Sequence, residues 1–154
     1  MPLKLANLIA TWFGCGRAPV APGTAGSAAA VVLAIVLHEY AGVSGWQFLL
    51  MAAILFYPAV AASTIAAHAA KKKDPGFVVV DEVIGQWIAL AGARHYTWQT
   101  YLAAFALFRL FDITKPWLIH RSQNIPGGWG LVLDDFLAAL PVIPIVWLCA
   151  ALLS

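Results

Sequence analysis

The spacing of apolar and polar residues at the amino end predicts a short amphipathic helix. Apolar side chains recur at helical intervals at Leu5, Leu8, Ile9 and Trp12, and the opposite face carries Lys4, Asn7 and Thr11. A helix of this kind lies in the plane of a membrane interface. A cleaved signal peptide is the competing reading, but Asn7 and Thr11 interrupt the apolar run and Pro22 crowds a cleavage site after Ala21. We therefore expect an interfacial helix.

Long apolar stretches follow and predict membrane-embedded helices. They run from about Ser27 to Gly45, Trp46 to Ala70, Phe77 to Ala93, Tyr96 to Phe111 and Gly130 to Leu153. A helix needs about 20 residues to cross the hydrocarbon core, so the second and fifth stretches are long enough and the third and fourth are short. Pro141 and Pro144 are expected to kink the last helix, and Pro58 to bend the second.

Composition places the chain among integral membrane proteins. Apolar and aromatic residues make up 62% of the 154 residues and charged residues only 10%, against about 25% charged in a soluble domain. Such a surface excludes a nucleic-acid binder and a disordered chain. Cys15 and Cys149 form no metal-binding or redox pair. The predicted fold is all-α: one domain over residues 1–154, an integral membrane helical bundle with an N-terminal interfacial helix and about five membrane-embedded helices.

Basic residues predict the orientation. If the loop KKKDPG is cytoplasmic, alternating spans bring nearly all bases to that side, namely Lys4, Arg17, Lys71, Lys72, Lys73, Lys115 and Arg121, with Arg109 at the nearby helix end. Only Arg94 falls outside. The chain is therefore expected to cross the membrane several times with this loop in the cytoplasm.

Five of the seven acids flank apolar stretches: Asp81, Glu82, Asp112, Asp134 and Asp135. Lipid-facing carboxylates cost about 2.5–3.5 kcal/mol each at the bilayer centre, so these side chains need compensation. In the predicted topology all five converge near the cytoplasmic leaflet. Oxygen ligands without nearby His or Cys pairs suit Mg²⁺ or Mn²⁺ better than Zn²⁺. Adjacent acids diverge by about 100° on a helix, so one member of each pair can instead face a second metal or a structural ion-pair partner.

Arg109, Asp112 and Lys115 recur every third residue on one helix face, which Pro116 is expected to end. Two interpretations remain open. The cations can form an intrahelical ion-pair ladder with the acid, or Arg109 and Lys115 can bind a phosphate.

The segment GTAGS precedes the predicted start of a helix. Its backbone N–H groups at Thr24, Gly26 and Ser27 favour a bound anion, whereas a simple N-cap at Thr24 or Ser27 is the structural alternative. A Walker lysine does not follow, so the segment is not a nucleotide-binding P-loop.

Four blocks, GCGRAPVAPGTAGS, DPGFVVVDEVIGQW, FRLFDITKPW and GGWGLVLDD, resemble the phosphatidylglycerophosphatase A family of bacterial membrane lipid phosphatases. They span residues 14–135. The resemblance implies magnesium-dependent hydrolysis of phosphatidylglycerophosphate to phosphatidylglycerol and inorganic phosphate at the bacterial inner membrane. Leu118 and Pro126 depart from the family pattern, in which proline and histidine are common at these positions; the departures affect loop geometry and a histidine's help in proton transfer.

The resulting hypothesis gives each candidate residue a role. The five carboxylates hold one or two Mg²⁺ ions, Arg109, Lys115 and the Thr24–Ser27 segment clamp the phosphate, and a carboxylate not bound to metal takes a proton from water. A covalent aspartyl intermediate is the second mechanism. The rival function is a small cation transporter or channel that uses the same carboxylates. Selectivity among lipid phosphates stays open, as does a homo-oligomer packed through small residues of the second stretch.

Overall fold

The computed structural model describes residues 1–115 and 125–152, and this part of the chain is helical without a strand. The helices are α1 (Leu3–Ala10), α2 (Pro22–Ala41), α3 (Gly45–Ala70), α4 (Val80–Leu90), α5 (Trp98–Thr114), α6 (Gly128–Ala139) and α7 (Val142–Leu152), with a 3₁₀ turn at Cys15–Arg17. The all-α prediction is confirmed. The expectations for Pro116, Leu118 and Arg121 concern positions outside the described residues.

Three segments of the described chain are long and apolar enough to cross a membrane. They are α2 with 20 residues, α3 with 26, and the 25-residue segment Gly128–Leu152 that contains α6 and α7. Helix α4 has 11 residues and α5 has 17, which correspond to lengths of about 16 and 25 Å. Both are shorter than the roughly 30 Å hydrocarbon core. Three of the five predicted stretches are therefore candidate membrane spans.

The prolines in the long helices have different effects. The last apolar segment is interrupted at Leu140–Pro141, where α6 ends and α7 begins, as expected for a proline that cannot continue the hydrogen-bond ladder. Pro58 lies inside α3, which remains one helix from Gly45 to Ala70.

The predicted start of α2 at Ser27 is wrong, because the helix begins at Pro22. Proline is favoured at the first helical position since its fixed φ suits the helix and its missing N–H would have no partner there. Ala21, in a left-handed conformation with φ 48°, turns the chain into the helix. Thr24 and Ser27 therefore lie inside the helix, and neither is its N-cap.

Helix α4 forms the centre of the bundle, and every residue in it except Glu82 is buried. Its start is fixed by Val79, whose N–H donates to the carbonyl of Ala10 at 2.8 Å. Farther along, the indole Nε1 of Trp87 donates to the carbonyl of Ala30 on α2 at 3.2 Å. These contacts set the position of the first turn of α4, which carries Asp81 and Glu82.

Large apolar side chains remain exposed on the outside of the bundle. Examples are Val32 on α2, Ile54 and Tyr57 on α3, and Leu148 on α7, each more than half exposed. An apolar exterior around a small buried core fits association with a membrane. In α1, Ala6 and Ala10 are buried against the protein whereas Leu5 and Leu8 face outward.

Candidate active site

The five carboxylates flanking apolar stretches come together in the fold. Asp81 and Glu82 occupy the first turn of α4, Asp112 lies near the end of α5, and Asp134 and Asp135 lie in the middle of α6. Four of the side chains are buried, and Glu82 is partly exposed. The helix dipole favours the two acids at the start of α4. Three helices thus deliver acids to one place.

Asp81, Glu82 and Asp135 form the closest group. One carboxylate oxygen from each lies within 4.8 Å of the other two. Asp81 Oδ1, Glu82 Oε2 and Asp135 Oδ2 are buried and have no hydrogen-bond partner in the described part of the chain. Buried carboxylate oxygens without donors are costly, so a cation that satisfies them would stabilise this arrangement.

The other two acids bind the cations of α5. Asp112 accepts a short hydrogen bond from Nη1 of Arg109 and lies 4.0 Å from Nζ of Lys115. Lys115 Nζ donates to Oδ2 of Asp134 at 2.5 Å. Arg109 Nη1 is also 3.8 Å from Oε1 of Glu82. The ion-pair ladder is therefore present. It also extends to other helices, because Arg109 lies near Glu82 of α4 and Lys115 binds Asp134 of α6.

Lys115 stays protonated in this setting. Burial alone lowers its pKa, but the hydrogen bond to Asp134 and the charges of Asp134, Asp135 and Asp112 outweigh burial, so the pKa of Lys115 is raised above 10.5. Lys115 ends α5 in a left-handed conformation with φ 39°, which is strained for a residue with a side chain. The site thus contains a fixed positive charge beside Asp134.

The start of α2 reaches the same site. A Cβ at Gly23 would overlap Oε1 of Glu82 and would lie 3.2 Å from Nη2 of Arg109. Because Pro22 has no N–H, the N–H groups of Gly23 and Thr24 are the first ones left without a partner within the helix. The α2 terminus therefore points its positive end at the carboxylates and Arg109.

The predicted phosphate-binding residues of α2 differ from one another in burial and in how near they lie to the start of the helix. Thr24 is partly exposed in the first turn, whereas Gly26 is buried with Val79 directly against it: a Cβ at Gly26 would be 2.8 Å from Cβ of Val79. Ser27 is fully buried, one turn deeper than Gly23. The terminus itself, rather than the interior positions Gly26 and Ser27, lies against the acids.

Sequence reasoning did not single out Gly23, Gly85 or Gln86. A Cβ at Gly85 would overlap the ring of Phe108 and lie 3.1 Å from the carbonyl oxygen of Asp135, so this glycine lets α4 approach both α5 and α6. Gln86 is fully buried one turn after Glu82, and its amide atoms have no partner among the described residues. Gln86 could have been identified from the sequence, because its amide is the one polar side chain with both a donor and an acceptor in the apolar run VIGQWIAL.

Comparisons with known proteins show the family of the chain. The family model described as Phosphatidylglycerophosphatase A matches residues 8–150. A protein of Bacteroides thetaiotaomicron named "Putative phosphatidylinositol-3-phosphatase" is 39% identical over 90% of this chain and 89% of its own. Proteins named Phosphatidylglycerophosphatase A from Haemophilus influenzae and Escherichia coli are 37% and 34% identical, over 94% and 90% of this chain and 88% and 81% of their own.

No solved structure matches the chain. The resemblance inferred from the four sequence blocks is confirmed by the family match over nearly all of the chain. The protein belongs to the phosphatidylglycerophosphatase A family of phosphoric monoester hydrolases.

Proposed function

We propose that the protein hydrolyses phosphatidylglycerophosphate to phosphatidylglycerol and inorganic phosphate, with Mg²⁺ as cofactor. The observation that carries the proposal is the group formed by Asp81, Glu82 and Asp135, which lies beside Arg109 and the start of α2. Acidic ligands for a cation and basic groups for a phosphate occur together here. Phosphoryl transfer requires this combination, because negative charge on the phosphoryl oxygens must be neutralised.

The donor set fits Mg²⁺. Mg²⁺ is held at about 2.0–2.1 Å by oxygen ligands in octahedral geometry and usually keeps several waters. Asp81, Glu82 and Asp135 offer three oxygens within 4.8 Å of one another, so small side-chain rotations bring them onto one ion. Among the described residues, five carboxylates face two cations in the cluster, which leaves an excess of negative charge that a divalent ion offsets.

Asp81, Glu82 and Asp135 would hold the metal, which when bound supplies Lewis-acid stabilisation of the phosphate and acidifies water. Arg109 orients the phosphate, since its Nε is buried without a partner among the described residues and its Nη2 faces Gly23. The N–H groups of Gly23 and Thr24 bind a phosphate oxygen at the start of α2.

Lys115 and Asp134 act as a pair beside the metal ligands. Lys115 remains charged and neutralises the phosphate as it leaves, while Asp112 holds Arg109 in position through their hydrogen bond. A carboxylate outside the metal set takes a proton from the attacking water. Attack by water is the favoured route, and an aspartyl intermediate is the second.

The proposed setting is the bacterial inner membrane. The chain crosses it several times, with α4 and α5 embedded among the longer helices and α1 at the interface. The cytoplasmic side carries the carboxylate cluster and the loop Lys71–Lys73. This topology rests on the positive-inside rule and on the apolar exterior of the bundle. A cation transporter built on the same acids gains no support from the comparisons, whose names are those of phosphatases.

The proposal is tested by measuring inorganic phosphate released by purified protein from lipids in detergent micelles. Phosphatidylglycerophosphate, phosphatidylinositol 3-phosphate and phosphatidic acid are compared, each with Mg²⁺ and with excess chelator. Magnesium-dependent release that is greatest from phosphatidylglycerophosphate is expected. Preference for the inositol lipid would overturn the substrate assignment, and equal release in chelator would overturn the metal.

A further inference from the structure

A second basic region lies at the end of α3. Lys71, Lys72 and Lys73 follow the last helical residue, Ala70, and all three side chains are exposed. In the described part of the chain, the ion pairs are formed by Arg109 and Lys115 and not by these lysines. Their charges are therefore available to an anion from outside the protein.

Two adjoining cavities connect the lysines to the carboxylate cluster. An open groove of about 610 Å³ is lined by Lys71, Lys72 and Lys73 together with Thr64, His68 and Gly127. A smaller cavity of about 120 Å³ is lined by Lys73, Asp74, Gly127 and Asp134, among others. Lys73 and Gly127 belong to both. The lysine groove therefore continues directly to an acid of the active site.

Close packing holds α3 and α6 in this relation. The N–H of Gly128 donates to Oγ1 of Thr64 at 2.8 Å, and Thr64 in turn donates to the carbonyl of Val60. A Cβ at Gly128 would lie 2.9 Å from the backbone nitrogen of Thr64, so only glycine permits the approach. The start of α6 and the C-terminal half of α3 are thus fixed to each other.

The arrangement of charges suits a headgroup with two phosphates. Lys73 and Asp134 line the same small cavity, so a basic group for a second phosphate adjoins the carboxylate cluster. The proposed substrate carries a terminal phosphomonoester and, one glycerol unit away, a phosphodiester joined to the lipid. With the monoester among the carboxylates and Arg109, the phosphodiester extends toward Lys73.

We propose that Lys73, with Lys71 and Lys72, binds the phosphodiester of the lipid headgroup and so selects lipids that carry two phosphates over those with one. This inference rests on the proposed phosphatase function and deepens it. Lysine is suited to the role, because its ammonium is a compact charge on a flexible stem that reaches a phosphate from a membrane-facing loop.

The same lysines can also meet the phosphodiester of a neighbouring anionic lipid, and the experiment separates the two sources. Lys73→Ala and the triple variant Lys71→Ala, Lys72→Ala, Lys73→Ala are compared with wild type and with Lys4→Ala, an exposed lysine on α1. Each protein is assayed on phosphatidylglycerophosphate and on phosphatidic acid in neutral detergent micelles, with and without added phosphatidylglycerol.

Binding of the substrate's own phosphodiester predicts a change in selectivity. In neutral micelles, Lys73→Ala raises KM for phosphatidylglycerophosphate by about 2- to 5-fold, as expected for an exposed charge pair. The ratio of kcat/KM between the two-phosphate and one-phosphate lipids falls by a similar factor, and falls further in the triple variant. Lys4→Ala keeps the wild-type ratio.

Three results would overturn the inference while the phosphatase assignment stands. The first is an unchanged selectivity ratio in the triple variant, and the second is an equal loss on both lipids. The third is a loss seen only in micelles containing phosphatidylglycerol, which would assign the lysines to bulk anionic lipid. If wild-type protein releases no phosphate from either lipid, it is instead the proposed function that fails.

Discussion

Replacing Gly23 by alanine tests whether the start of α2 and the carboxylate cluster form one site. The added Cβ would overlap Oε1 of Glu82 and lie 3.1 Å from its Cδ and 3.2 Å from Nη2 of Arg109. Optimal separations between non-bonded heavy atoms are about 3.5–4.0 Å, so the carboxylate must move by about 1 Å. Both groups that move belong to the proposed catalytic machinery.

Gly23→Ala is expected to lower the rate of phosphate release and to leave folding intact. Alanine is favoured over glycine inside a helix by about 0.5–1 kcal/mol, and the end of the Glu82 side chain can rotate away, so the variant should fold. A displacement of about 1 Å in a catalytic group can lower the rate about 100-fold. This corresponds to about 2.7 kcal/mol of lost transition-state stabilisation.

The assay is phosphate release under saturating substrate, with thermal unfolding of the same preparation measured in parallel. Gly76→Ala is the matched control, because Gly76 is exposed and a Cβ there has no heavy atom within 4 Å. Gly76→Ala should keep wild-type kcat. A Gly23→Ala variant with kcat within twofold of wild type would refute the idea that the α2 terminus constrains Glu82.

Further predictions concern packing and charge. Gly85→Ala places a Cβ against the ring of Phe108, and this overpacking should lower the free energy of unfolding by about 1–3 kcal/mol in chemical denaturation; an unchanged midpoint would contradict the packing. Lys115→Met removes the pair with Asp134 and, after allowance for partial exposure, should cost about 1 kcal/mol; no change in unfolding would show that the pair is neutral. Because folding raises the pKa of Lys115, its stabilising effect is fully present below pH 10.5 and is lost as pH rises through the higher folded value. Stability titrations of wild type and Lys115→Met between pH 6 and 9 should therefore stay parallel, and convergence in that range would contradict the raised pKa.

The fold was predicted where hydrophobic patterning is decisive. Helix α3 begins one residue before the predicted stretch and ends at the predicted Ala70, because a long apolar run has few alternatives. The interruption at Pro141 followed from proline chemistry. The start of α2 was misplaced because the segment VAPGTAGS was taken for a loop, although proline at a first helical position is itself a start signal.

The sequence predicted which acids come together but not which partner each of them has. The cost of burying carboxylates indicated that the acids of α4, α5 and α6 meet, and they do. Which acid joins which partner depends on helix rotation, so the pairing of Asp134 with Lys115 and the grouping of Asp135 with Asp81 could not be read from sequence. The importance of Gly23 and Gly85 depends on contacts between helices that are distant in sequence.

Metal binding to Asp81, Glu82 and Asp135, measured together with turnover, tests the proposed active site most directly. Mn²⁺, used as a paramagnetic probe, is titrated by electron paramagnetic resonance into wild type, Asp135→Asn and the control Glu39→Gln, whose side chain is exposed on α2. A Mg²⁺ site at these residues predicts that Mg²⁺ displaces bound Mn²⁺ from wild type and from the control, and that Asp135→Asn loses both the bound ion and phosphate release while remaining folded. An Asp135→Asn protein that binds Mn²⁺ as wild type does and hydrolyses phosphatidylglycerophosphate at the wild-type rate would contradict it.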